Sequence, residues 1–270
     1  MSRQSFLGSV TVLDTETTNL HPDKAEIVEI AGAQYDGQNW TVSSRLLGAR
    51  DGIPPEASAK NHISNRMIEG LPTFSQSTEI CRQILGWEGS GFLVAHNCKY
   101  DQEVLAKAWI ESDSIEDAER ALDGSRWICT HRLSKQLLRD VDFPDMQYNL
   151  SYLRYKLDLP IPDDIEAHRA GADAMVCAIL LEFLVDYALA TDQIIDGPDV
   201  GDQVHALCWK AIPVTSWPFG KHKGKALSEI DTDYYMWALE NMDSLNEEKS
   251  SFDPDLATSV AAELERRLDQ

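Results

Sequence analysis

Apolar runs of two different periods divide the chain. Val10 to Leu13 is a short β-branched run, and Ile27 to Tyr35 and Trp40 to Leu47 are longer ones separated by Asp36-Gly37, a hairpin signal. Thr73 to Leu85 then takes helical spacing, with Phe74, Thr78, Cys81 and Leu85 on one face. Phe92 to Ala95 reads as a compact buried strand, Tyr100 to Ile110 as a helix, and Trp127 to Cys129 as another short strand. The acidic stretch Glu111 to Asp123 reads as a surface insertion. Helical segments follow to about residue 190, broken at Leu159-Pro160-Ile161-Pro162. Three strands in a meander followed by alternating helices and strands predict an α/β fold, a mixed sheet covered by helices.

Thr191 to Gln203 carries Asp, Gly and Pro without a strong period and reads as a linker. The expected organisation is therefore a domain over residues 1–190, a linker over 191–203, and a small α+β module over 204–270. That module holds a Gly/Lys stretch, a helix near Tyr234 to Met242, and a last helix with Leu256, Val260, Leu264 and Leu268 in a stripe.

Composition narrows the function. The chain has 270 residues, 43% of them hydrophobic, which suits one large domain or two unequal ones. No apolar run is long enough to cross a bilayer, and the first twenty residues are interrupted by Asp14 and Glu16. A cytoplasmic protein without a membrane partner is expected. The five cysteines are scattered and form no CxxC pair, which argues against a disulfide framework or thiolate zinc site. With 45 acidic against 24 basic residues the net charge is −21, which disfavours non-specific adhesion to nucleic acid. A site whose positive charge comes from bound metal ions stays open.

Three places carry candidate chemistry. The first strand runs into Asp14-Thr15-Glu16, and residues two apart on a strand share a face, so both acids continue the face of Val10 and Val12. Two carboxylates so placed call for a cation, although a strand end with solvated acids gives the same pattern. Asp101 arrives in the first turn of a helix after a buried strand and the turn His96-Asn97, where an acid also simply favours the helix dipole. Asp173 falls on the apolar stripe of a long helix with Val176, Leu180 and Tyr187, and metal coordination is the economical explanation. His168 lies on the turn before that helix. Four carboxylates with a single His are hard ligands that select Mg²⁺ or Mn²⁺ over zinc.

In this order the motifs resemble the DnaQ-like 3′–5′ exonucleases of the RNase H-like fold, in the subgroup with four acids and a His. The first motif, D-x-E-T-T-G-L, matches Asp14 to Leu20 with Asn19 in place of Gly. H-N-x-x-x-D matches His96 to Asp101, and H-x-A-x-x-D matches His168, Ala170 and Asp173. The stretches Arg126 to Thr130 and Trp217 to Leu227 also resemble a bacterial member of the family, which extends the likeness over nearly the whole chain. The resemblance implies an RNase H-like sheet, a three-strand antiparallel meander plus parallel strands. It also implies two Mg²⁺ or Mn²⁺ ions, with Asp14, Glu16 and Asp173 on one and Asp14 and Asp101 serving the other. His168 would be the general base, and nucleoside 5′-monophosphates would leave from 3′ ends. The nucleic-acid contacts implied are Thr17, Leu20, Ile63, His96 and Asn97. Asn61 and His62 depart there from the family's H-x-I-[ST].

The implied partner is DNA with a 3′ end, single-stranded or frayed, together with replication or repair proteins. Two alternatives stay open: a 3′–5′ exoribonuclease, and a DnaQ-fold binding module without chemistry. The stretch Gly220 to Lys225 is no P-loop, because three residues rather than four separate its glycines and Ala226 stands where Ser or Thr is required. It is either a basic turn able to touch phosphates or a plain hairpin turn.

Overall fold

The structure, a computed structural model, describes residues 2–139, 146–161, 168–246, 249 and 253–268. Pro162 of the expected Pro-rich break lies outside the described residues. Five strands form one mixed sheet: β1 (Val10–Thr17), β2 (Ile27–Tyr35), β3 (Trp40–Leu46), β4 (Phe92–Ala95) and β5 (Trp127–Cys129). Their order is β3-β2-β1-β4-β5, with β1–β2 and β2–β3 antiparallel and β1–β4 and β4–β5 parallel. The helices of the larger unit are α1 (Arg3–Leu7), α2 (Pro55–Asn61), α3 (Asn65–Ile68), α4 (Thr78–Ile84), α5 (Lys99–Ile110), α6 (Ile115–Leu122), α7 (Thr130–Leu138), α8 (Leu150–Lys156), α9 (Ala170–Ala190) and α10 (Val200–Trp209). The smaller unit holds α11 (Thr232–Asn241) and α12 (Pro254–Leu268).

The meander follows from the β-branched runs and from a side chain. Asp36 Oδ1 accepts from the amides of Gln38 and Asn39, each at 2.8 Å, and Gly37 takes φ 100°, so the turn between β2 and β3 is set locally. Register then follows from burial, since β2 reads buried at seven consecutive positions. Gly32 permits a close approach: a Cβ there would lie 2.0 Å from the carbonyl oxygen of Ile84, at the end of α4. The 21-residue α9 packs across β1, β2 and β3 and supplies Ala174, Cys177, Ala178, Leu181 and Val185 to the main core.

Three sequence expectations change. The periodicity of Thr73 to Leu85 is broken at Ser77 into a 3₁₀ turn, Phe74–Gln76, and α4. The acidic stretch Glu111 to Asp123 keeps an exposed outer side but is more than a surface insertion. It contains α6, which buries Ala118 and Ala121 against α5, while Asp117 accepts from Arg82 and from Trp87 Nε1 at 2.7 Å. The linker expected over 191–203, with a module from 204, is also displaced. The chain divides between Trp209 and Lys210, because α10 belongs to the larger unit. Its buried Val200, Val204 and Cys208 pack on α7 and β5, and Trp209 Nε1 donates to the carbonyl of Trp127 at 2.8 Å. Asp, Gly and Pro mark a turn before α10, not a boundary between cores.

The smaller unit has its own core of Trp217, Leu227, Ile230, Tyr235, Ala238, Leu245, Leu256 and Val260. Among its described residues it includes one isolated antiparallel bridge, Ser216 to Ala226. Among the described residues no helix is long and apolar enough to cross a membrane.

Candidate active site

The acidic residues of β1 sit where the strand passes the end of its parallel neighbour. β1 pairs with β4 only as far as Val12–Val94, while its pairing with β2 continues through Glu16–Glu29 before a register shift at Thr17. Asp14 and Glu16 thus stand beyond the end of β4, over a hollow instead of another strand. Strand β4 turns through Asn97, which takes φ 69°, into α5, whose first turn brings in Asp101. From the other side, α9 starts at Ala170 and delivers Asp173 in its first turn.

Asp14, Glu16 and Asp173 can each place one carboxylate oxygen within 4.8 Å of the others. Asp101 lies behind them, 5% exposed, and accepts a hydrogen bond from Thr15 Oγ1 at 2.8 Å. His168 has φ 65°, a left-handed conformation uncommon for a side chain of this size, and its backbone N–H donates to Asp173 Oδ2 at 3.2 Å. All five residues line one pocket of about 700 Å³, together with Thr17, Leu20, Lys60, Asn61, Asn97 and Tyr100.

The electrostatics show what the pocket suits. Burial, and then the charges of Asp101, Asp173, Glu16 and Glu29, push the Asp14 carboxyl well above its ordinary range. Glu16 is raised to about 7 by burial and by Asp173, against a smaller opposing effect from Lys60. Asp101 reaches about 7, mainly through burial, and Asp173 is raised by burial against the His168 amide and the charges of His168 and Arg154. Four acids that resist ionising together, all oxygen donors, fit hard divalent cations. A cation would return each of them to its charged form.

The start of α9 is fixed by a contact that sequence reasoning missed. Glu29 of β2, 3% exposed, accepts from Arg169 Nε and from its terminal guanidinium nitrogen, both at 2.9 Å, and from the Ala170 amide at 3.1 Å. The ion pair therefore clamps the residue between His168 and Ala170 onto the sheet. A lone acid inside the apolar run Ile27-Val28-Glu29-Ile30-Ala31 was the available signal. Tyr100 was missed as well: its hydroxyl bonds Thr17 Oγ1 and donates to the Asn19 carbonyl, which holds the loop carrying Leu20.

The remaining expected contacts divide. Leu20 is 75% exposed at the pocket, and Thr17 lies on its wall. Ile63, in contrast, is fully buried with Val28, Ile53 and Ile68, so it packs under the site and offers no surface to a ligand. Its neighbour Asn61 is the one that faces the pocket, its Nδ2 3.4 Å from the Thr17 carbonyl. Asn97 lines the pocket. His96 also lines it, but both ring nitrogens are committed. Nε2 donates to the Tyr148 carbonyl at 2.8 Å and Nδ1 accepts from the Thr130 hydroxyl at 2.9 Å, while burial lowers its pKa to about 4. It is a neutral structural histidine and not a polar contact for nucleic acid. Cys98 is buried and its thiol is pushed far up by its bond to Cys129 and by burial, which removes it as a nucleophile.

Residues 11–181 match the RNase_T exonuclease family, and the chain belongs to that family, as a DnaQ-like 3′–5′ exonuclease. Enzymes of the family depend on divalent metal. The chain is 27% identical over 241 residues to exodeoxyribonuclease 10 of Escherichia coli (strain K12), covering 88% of this chain and 93% of the relative. It is 29% identical over 180 residues to the DNA polymerase III subunit epsilon of Treponema pallidum (strain Nichols), covering 65% and 75%. Among solved structures, exonuclease X in complex with 5′-overhanging duplex DNA superposes with a TM-score of 0.53 at 25% identity, over 74% of this chain and 99% of that one. Escherichia coli exonuclease I in complex with a dT13 oligonucleotide shares the fold at a TM-score of 0.56 and 13% identity, over 68% of this chain and 42% of that one.

Proposed function

We propose that this exonuclease shortens DNA from the 3′ end, releasing nucleoside 5′-monophosphates, with two Mg²⁺ or Mn²⁺ ions and with His168 as general base. The observation that carries this reading is the convergence of Asp14, Glu16 and Asp173 within 4.8 Å, with Asp101 and His168 on the same pocket. DNA is favoured as substrate by the names of the relatives, an exodeoxyribonuclease and a DNA polymerase III subunit, which span most of their own length in the match. The same relatives favour replication or repair proteins as partners.

Asp14, Glu16 and Asp173 would hold one ion, and Asp14 with Asp101 would serve a second. When bound, such ions polarise the phosphate, ease deprotonation of the attacking water and stabilise the departing 3′ oxygen. The residues of the chain do the rest. His168, on an exposed turn held to Asp173 through its own amide, takes the proton of the attacking water. Leu20 offers the last base an apolar wedge, and the loop that carries it is held through Thr17, Tyr100 and Asn19. Lys60, exposed on the pocket wall, can meet the phosphate.

The test is incubation with 5′-labelled single-stranded DNA and RNA of one sequence, with Mg²⁺, with Mn²⁺, and with chelator. A ladder of shortened DNA that disappears with chelator and with Asp14→Ala is expected. Shortening confined to RNA would move the substrate, and no ladder on either strand would overturn the catalytic reading. Hydrolysis of the p-nitrophenyl ester of thymidine 5′-monophosphate by the native chain checks the metal site without demanding polymer binding.

A further inference from the structure

The smaller unit carries a surface that the catalytic pocket does not use. Between Asp202 and Glu229 the sequence has no acidic residue, yet it has Lys210, Lys221, Lys223 and Lys225, in a chain of net charge −21. The last three sit on one turn, shaped by Gly220 at φ 62° and Gly224 at φ 81°, which closes back through the bridge of Ser216 to Ala226. All three lysines are exposed.

Aromatic rings gather beside this turn. Lys221 Nζ lies 4.7 Å from the centre of the Tyr234 ring, and the His222 ring lies 4.3 Å from the same ring. Tyr234 in turn meets Trp237 at 5.5 Å. Trp237 is 50% exposed and Phe219 37%, so two large rings present faces or edges to solvent next to the lysines. Lys221, His222, Tyr234 and Trp237 line a hollow of about 850 Å³ together with Asp231 and Asp233. These two carboxylates repel phosphate, so the hollow suits a base and the turn suits the backbone.

We propose that this basic, aromatic face is a second binding site, for a single-stranded polynucleotide. Its phosphates meet Lys221, Lys223 and Lys225, and its bases stack on Trp237 and Phe219. Exposed rings interleaved with cations are the two elements such strands require. A protein ligand seeking only apolar contact has no use for three lysines on a turn cleared of acids. In an otherwise acidic protein, this face would supply the polymer affinity that the active site, itself acidic, lacks.

The experiment is fluorescence anisotropy of a 5′-fluorescein-labelled dT20 oligonucleotide with the full chain in chelator, where strand cutting and metal-bridged contacts at the active site are both absent. Combined Lys221→Ala, Lys223→Ala and Lys225→Ala substitution is expected to weaken binding by about tenfold or more and to flatten its salt dependence by about two to three ions. Trp237→Ala is expected to weaken it by about tenfold with the salt slope kept, and Trp237→Phe to restore most of the loss. Unchanged affinity and slope in the lysine variant, or no binding of dT20 by the native chain at 50 mM salt, would overturn the proposal. The catalytic reading stands or falls separately, on hydrolysis of the thymidine ester.

Discussion

The acidic pocket and the basic turn are built in opposite ways. The pocket collects five side chains from β1, α5 and the start of α9, separated by as many as 159 positions, and packs them where their charges conflict. The turn of the smaller unit takes its three lysines from five consecutive positions, keeps them solvated, and relies on two glycines for its shape. The first arrangement is preorganised and strained; the second is local and cheap to form. A site that must hold cations in fixed geometry needs rigidity on every side, whereas a surface that tracks a flexible strand tolerates mobility.

That contrast predicts steep single-residue effects in the pocket. Asp14→Ala should lower the rate of DNA shortening by at least about a thousandfold, because no neighbouring group can take over its oxygens. The same carboxylate is electrostatically unwelcome without a cation, so Asp14→Asn should raise the melting temperature in chelator while abolishing activity. Calorimetry and gel kinetics on one preparation check both halves. A melting temperature that drops in chelator would show that the acids are not in conflict.

His168→Ala should reduce kcat by about 10²–10⁴-fold with metal affinity largely kept, measured by isothermal titration with Mn²⁺ beside single-turnover kinetics. Native rates would remove His168 from its role. Glu29→Gln comes next. It never touches substrate, but it loosens the clamp on Arg169 and the Ala170 amide that sets both His168 and Asp173. A fall in kcat of about 10–100-fold with little change in KM is expected. Equal changes in kcat for Glu29→Gln and for Glu29→Ala, each matched by lost melting temperature alone, would reduce Glu29 to a stability element.

The smallest effect is a pH dependence. Glu16 and Asp101 both have pKa values raised to about 7 by burial. Groups of this kind hold protons more tightly folded than unfolded, so without metal the stability falls as pH rises from about 4.5 towards 7 and then levels. Added Mg²⁺ should therefore raise the melting temperature more at pH 8 than at pH 5, by scanning calorimetry. A gain independent of pH would mean that the acids ionise freely without the ion.

Much of this was legible in the chain because it depends on local order. The β-branched runs and Asp36-Gly37 announced the meander, and the three spaced motifs announced the acids and His168. Ile63 and His96 were less legible, since a motif gives a residue's place in the chain and not the direction it faces. Ile63 turns into a small core with Val28 and Ile53, and His96 spends both nitrogens on Thr130 and Tyr148. The end of the larger unit was misplaced for a related reason. Composition marks where a chain turns, but the burial of Val200, Val204 and Cys208 decides which core a helix joins.

The amino-acid order by itself determined most strands and helices, the excess of acid, and which five side chains the motifs single out, because periodicity and motif spacing are properties of the chain. Tertiary structure alone decided that Asp14, Glu16 and Asp173 come within 4.8 Å, that Glu29 grips the start of α9, and that Trp237 and Lys221 line one hollow. Those are contacts between distant segments, and they exist only once burial has fixed how the segments pack.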